Sequence, residues 1–151
     1  MNQNSNTFKS GFVAVLGRPN VGKSTLINQL MGTKIAATSP WPQTTRKSQM
    51  GILSLDDAQI IFVDTPGFHQ PIHKLGEKMV KEALKTLEEC DLCLLLVDIS
   101  AEPSDEDRLL AQALFETKRN LPVILALNKA DINSTEQNEI NQKLYQEIIN
   151  K

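Results

Sequence analysis

The sequence predicts a three-layer α/β fold: a mainly parallel sheet, helices on both faces, and one antiparallel strand at an edge. Three observations carry that prediction. Near-continuous apolar runs at residues 12–16, 59–63, 92–97 and 122–127 are what parallel strands covered on both faces look like. Helical patterns alternate with these runs, after residue 22 and at 74–88, 104–118 and 134–150. The first run also leads through a glycine-bounded loop straight into a helix.

Taken in order, residues 1–10 read as a disordered tail ahead of a domain over 11–151. Met1-Asn2-Gln3-Asn4-Ser5-Asn6-Thr7 is polar and has no signal-peptide core. After the run Phe12-Val13-Ala14-Val15-Leu16 comes Gly17-Arg18-Pro19-Asn20-Val21-Gly22-Lys23-Ser24, followed by Thr25. This is the phosphate-loop pattern, and it stands in the strand–loop–helix setting that gives the pattern meaning. A loop wrapped round a phosphate needs several backbone N–H groups turned inward, and glycines permit the necessary dihedrals. The helix opening near Gly22 adds its own N–H groups and the positive end of its dipole. Lys23 is the candidate for the β and γ phosphates, and the Ser24 hydroxyl for Mg²⁺.

Residues 33–47 contain Pro40 and Pro42, which forbid a helix, so a long loop is expected there. The more polar stretch 48–55 suits an edge strand, with Asp56-Asp57 turning into the next one. Directly after 59–63 stands Asp64-Thr65-Pro66-Gly67. A carboxylate at the end of a strand beside a phosphate loop is placed to hold Mg²⁺, and the Gly67 N–H to sense a γ-phosphate. The helix at 74–88 carries Leu75, Met79, Ala83 and Leu87.

Cys90 and Cys93 form a C-x-x-C at the entry of the run 92–97. Two cysteines with no partner ligands make no zinc site, and the pair is not at a strand-to-helix turn where a reactive thiolate belongs. They read as small buried hydrophobes, on opposite faces if both lie in the strand. The helix at 104–118 opens on Ser104-Asp105-Glu106-Asp107, a capping-box-like start, and offers Leu110, Ala113 and Leu114 to the core. The run 122–127 leads into Asn128-Lys129-Ala130-Asp131. Guanine presents N1–H and an exocyclic amine on one edge, so a carboxylate accepts both, whereas adenine would leave that charge unpaired. Asp131 is the candidate acceptor, with Asn128 orienting the site and Lys129 lying along the base. The last helix, 134–150, has Ser134 and Gln137 at capping positions and a stripe of Ile140, Leu144 and Ile148.

A chain of 151 residues with 40% apolar and 23% charged residues fits one domain with a single substantial core. The formal net charge of −2 gives no global argument for nucleic-acid binding by these residues. No run approaches membrane-spanning length, which makes a cytoplasmic address the default expectation.

Together these motifs resemble the Era family of P-loop GTPases, relatives of TrmE and EngA. The narrower likeness rests on residues 17–28, on Pro42-Gln43-Thr44-Thr45-Arg46, and on Asp64-Thr65-Pro66-Gly67-Phe68-His69 with Pro71 and His73-Lys74-Leu75-Gly76-Glu77 after it. Sister families usually read Pro-Gly-x-Thr-Arg at the second of these. The resemblance covers residue 11 to the end and implies strand order 2-3-1-4-5, with switch loops at roughly 33–47 and 64–80. It places nucleotide contacts at Gly17 to Thr25, Asp64 to Gly67, and Asn128, Lys129, Ala130 and Asp131. It implies Mg²⁺ on Ser24, Thr45 and Asp64, with Thr44 an open alternative to Thr45. Lys23, Thr45, Gly67 and Asn20 are the implied catalytic positions, Asn20 matching an asparagine that related GTPases use to hold K⁺. Phe68 stands where small GTPases carry a water-orienting glutamine, which implies slow turnover or help from elsewhere. His69 and His73 read as surface histidines rather than general bases, and Trp41 as a switch-loop or partner contact.

The expected function is a switch that hydrolyses GTP to GDP and phosphate in small ribosomal subunit assembly, through 16S rRNA. The alternatives are a non-hydrolysing guanine-nucleotide-gated module, or a sister GTPase of tRNA modification or large-subunit assembly. The family's guanine-contacting loop beyond residue 150, its last G-domain strand and helix, and its RNA-binding KH domain are not among these residues. An incomplete G domain is therefore expected, with peripheral association at the inner membrane left open.

Overall fold

Strand β1, Lys9–Leu16, runs through the middle of a five-stranded sheet. The computed structural model describes residues 8–32, 49–64, 85–116 and 120–149. Within them the further elements are α1 (Lys23–Gly32), β2 (Gln49–Ser54), β3 (Ala58–Asp64), β4 (Leu92–Asp98), α2 (Asp105–Phe115), β5 (Val123–Asn128) and α3 (Thr135–Ile149). The strand order is β2-β3-β1-β4-β5, as the resemblance implied. Strand β1 pairs in parallel with β3 and β4, β4 in parallel with β5, and β2 antiparallel with β3 at the edge.

Alternation along β1 divides the core between two faces. Ala14 and Leu16 join Val63, Leu95, Val97, Leu110 and Tyr145 on one face, where α2 and α3 pack. Val15 joins Ile27 and Phe62 on the other, under α1. The expected strands are all present, and β1 starts three residues before its apolar run. Lys9 N–H donates to the Asp57 carbonyl at 3.0 Å, so backbone pairing carries the strand beyond the core. Helix α2 begins with a complete capping box: Ser104 Oγ accepts from Asp107 N–H at 3.3 Å, and Asp107 Oδ2 accepts from Ser104 N–H at 2.9 Å. Of the predicted helix at 74–88, residues 85–88 are described and helical, with Leu87 buried. No described helix is long and apolar enough to cross a membrane.

Three expectations need correction. The run at 122–127 was read as covered on both faces, yet β5 is the outer strand, with Val123 37% and Ile124 51% exposed. Hydrophobicity reports a tendency to be buried, not the presence of a neighbour. In α3, Ile140 is 52% exposed and the buried positions are Asn141 and Tyr145. Two hydrogen bonds set that rotation, from Asn141 Nδ2 to the Ile99 carbonyl at 2.8 Å and from Tyr145 O–H to the Asp98 carbonyl at 3.2 Å. Cys90 lies ahead of β4, so the opposite-face geometry does not arise, and both cysteines are buried in one cluster. Burial, then the neighbouring Cys90, pushes the Cys93 thiol up to about 12, which makes it inert as a nucleophile at neutral pH.

Candidate functional site

The register brings the ends of β1, β3, β4 and β5 to one edge of the sheet, where α/β folds bind ligands. Val15 pairs with Asp64, Leu16 with Leu95, and Asp98 with Asn128. The phosphate loop leaves β1 at Gly17, whose φ of 153° any side chain would strain. A Cβ there would also collide with the Leu96 backbone oxygen, because the loop lies hard against β4. Gly22 has φ 103°, and a Cβ on it would strike Asn128 Nδ2. Asn20 between them holds φ 65°, a left-handed conformation that asparagine tolerates better than most residues.

Lys23 is 6% exposed and folds back over the loop, its Nζ donating to the carbonyls of Gly17 at 2.7 Å and Arg18 at 3.0 Å. The ammonium thus sits inside the curve of the loop, where a phosphate oxygen would meet it. Leu26 N–H closes the first turn of α1 on the Gly22 carbonyl at 2.9 Å. Ser24 and Thr25 are exposed in that turn, and the first N–H groups of any α-helix lack an intrahelical acceptor.

From β5, Asn128 Nδ2 donates to the Val21 carbonyl at 2.7 Å and so joins the second motif to the phosphate loop. Lys129 takes φ 61° and donates from Nζ to Asp98 Oδ2 at 2.7 Å. The Ala130 carbonyl accepts from Asn138 Nδ2 of α3 at 2.7 Å, and Asp131 is exposed. Asp64 ends β3 opposite Val15. Thr44, Thr45, Thr65, Pro66, Gly67, Phe68, His69, His73 and Trp41 lie outside the described residues. Among the described residues, no three His, Cys, Asp or Glu side chains come together as a metal cluster.

The Arg18 side chain turns toward two carboxylates, which leaves its backbone in the loop. Its Nη2 lies 3.6 Å from Asp98 Oδ2, and its Nε 3.4 Å from Asp107 Oδ2. Tyr145 O–H reaches that same Asp107 oxygen at 3.2 Å. Burial, then the Asp107 charge and its hydrogen bond, raise the Tyr145 phenol and keep it protonated. Burial alone would raise the Asp98 carboxyl, but hydrogen bonds from Lys129 and Ser100 hold it below its ordinary value. Asp98, Asp107, Asn138, Asn141 and Tyr145 were not singled out from the sequence as site residues. Asp98 carried a usable signal, since it ends an apolar strand run just as Asp64 and Asn128 do.

A family model described as 50S ribosome-binding GTPase matches residues 12–129. The chain is 56% identical over 139 residues to GTPase Era of Caldicellulosiruptor saccharolyticus, covering 91% of this chain and 46% of that protein. It superposes on a crystal structure of Era in complex with MgGDPNP and nucleotides 1506–1542 of 16S ribosomal RNA, with TM-score 0.65 and 40% identity. That match covers 93% of this chain and 47% of the other. An Era variant of Aquifex aeolicus bound to GDP and AlF4⁻ gives TM-score 0.59 and 38% identity, over 90% and 48% of the two chains. The chain spans about half the length of the curated relatives it matches. With residues 12–129 under the family model and the loops after β1 and β5 joined at one sheet edge, the chain belongs to the GTPase family so described.

Proposed function

We propose that the chain binds guanine nucleotides and hydrolyses GTP to GDP and phosphate. On this reading it is the nucleotide-binding part of an Era-type cytoplasmic switch acting in small ribosomal subunit assembly through 16S rRNA. The observation that carries it is the hydrogen bond from Asn128 to the Val21 carbonyl, which joins the Asn-Lys-Ala-Asp loop to the glycine-bounded loop after β1. The 16S rRNA contact is named for the Era complex and extended to this chain by its 40% identity.

In this reading Lys23 places its charge on the β and γ phosphates, and loop N–H groups face the charge that develops as water attacks the γ-phosphate. Asp131 accepts from guanine and Lys129 lies along the base. The Ser24 hydroxyl, exposed at the start of α1, and the carboxylate of Asp64 at the end of β3 are hard oxygen donors of the kind Mg²⁺ takes, with Thr45 the proposed third. When bound, Mg²⁺ supplies positive charge to the phosphate oxygens. Asn20, at the exposed crest of the loop, is the proposed K⁺ contact.

Release of labelled phosphate from GTP tests the reading, with Lys23→Ala as the inactive control. GDP binding without any phosphate release would instead favour a nucleotide-gated module, the outcome to which Phe68 inclines. Single-turnover rates should be higher in potassium than in sodium chloride; equal rates would remove the K⁺ contact.

A further inference from the structure

Asp98 belongs to neither nucleotide motif, yet both loops reach its carboxylate. Lys129 Nζ donates to Oδ2 at 2.7 Å from the purine-reading loop. Arg18 Nη2 approaches the same oxygen to 3.6 Å from the phosphate loop. The other oxygen, Oδ1, accepts from the Ser100 N–H at 3.1 Å and from the Ser100 hydroxyl, and these two bonds fix the plane of the carboxylate. Asp98 is buried, so little water screens its charge from the two cations. Arg18 and Lys129 are only about a quarter and a third exposed.

Resting on the guanine-nucleotide reading above, we propose that Asp98 is a positioning residue that ties the phosphate loop to the purine-reading loop by holding Arg18 and Lys129 on one carboxylate oxygen. Remove its charge and the anchor the two cations share is lost. Arg18 keeps a second anchor, Asp107 Oδ2 at 3.4 Å, so the larger displacement falls on Lys129 and the base end of the site. Asp98 touches no nucleotide in this scheme and acts through the two cations it orients.

The test is GDP affinity, read by displacement of a fluorescent GDP analogue, in proteins shown to be folded by circular dichroism. Asp98→Asn should weaken GDP at least about tenfold, the scale of one charge-assisted hydrogen bond. A double-mutant cycle separates positioning from plain stability. Arg18→Met and Lys129→Met together should depart from the product of their single effects by about fivefold or more, because they share a partner. In an Asp98→Asn background the product should hold. Binding within about twofold of the parent in folded Asp98→Asn, or coupling that survives without the carboxylate, overturns the proposal. If Asp98→Asn does not fold, Ser100→Ala carries the test, with a loss of about threefold expected and unchanged affinity counting against it. Failure of the unsubstituted protein to bind GDP would sink the guanine reading itself, and shows before any variant is made.

Discussion

The two loops that meet at Asn128 and Val21 are built in opposite ways. The phosphate loop takes its shape from atoms its glycines lack: a Cβ at Gly17 meets the Leu96 backbone, and one at Gly22 meets Asn128. The loop after β5, Asn128 to Asp131, takes its shape from side chains supplied by distant residues. Asp98 holds Lys129, Asn138 holds the Ala130 carbonyl, and Asn128 itself reaches back to Val21. A loop of the first kind asks of its own sequence only that two side chains be absent. One of the second kind is only as well placed as the helices and strands that lend it partners.

That contrast can be broken by substitution. Gly17→Ala should have the largest effect, since its obstacle is backbone and cannot move aside; we expect a loss of about 3 kcal/mol in unfolding free energy. GDP binding should vanish with it, and a variant that binds normally would show the loop to be more pliable than its packing indicates. Next, Asp131→Asn should lower GDP affinity at least about a hundredfold while improving that for xanthosine diphosphate, measured in competition. It should leave thermal stability alone, because Asp131 is exposed. Asn128→Ala removes one part-buried hydrogen bond between the loops and should cost about 1–2 kcal/mol, read by denaturant unfolding. Gly51→Ala sharpens the comparison from the other side. A Cβ there meets the Met31 sulfur of α1, the end of a flexible side chain rather than backbone. Its cost should stay under about 1 kcal/mol, and GDP affinity should not change.

The same distinction decides how much could be read from the chain alone. Strands, the capping box of α2 and the glycine-bounded turn after β1 were legible, because each depends on neighbours in sequence: Gly17 with Gly22 and Lys23, Ser104 with Asp107. What escaped depends on residues far apart. The rotation of α3 follows from Asn141 and Tyr145 bonding to carbonyls 42 and 47 positions away, which outweighs the pull of Ile140 toward the core. The exposure of Ile124 follows from β5 standing last in the sheet. The Arg18 guanidinium faces Asp98 and Asp107, and no local pattern announces partners 80 and 89 residues on.

One further feature sets a limit on engineering this domain. Asn20 and Lys129 hold backbone angles of φ 65° and 61°, where glycine sits without penalty and other residues lose on the order of 1 kcal/mol. A designer idealising the chain for heat tolerance would put glycine at those two positions first. Doing so would strip an amide from the crest of one loop and the ammonium that Asp98 holds in the other. Durability and the proposed ligand contacts therefore make opposing demands on the same two residues.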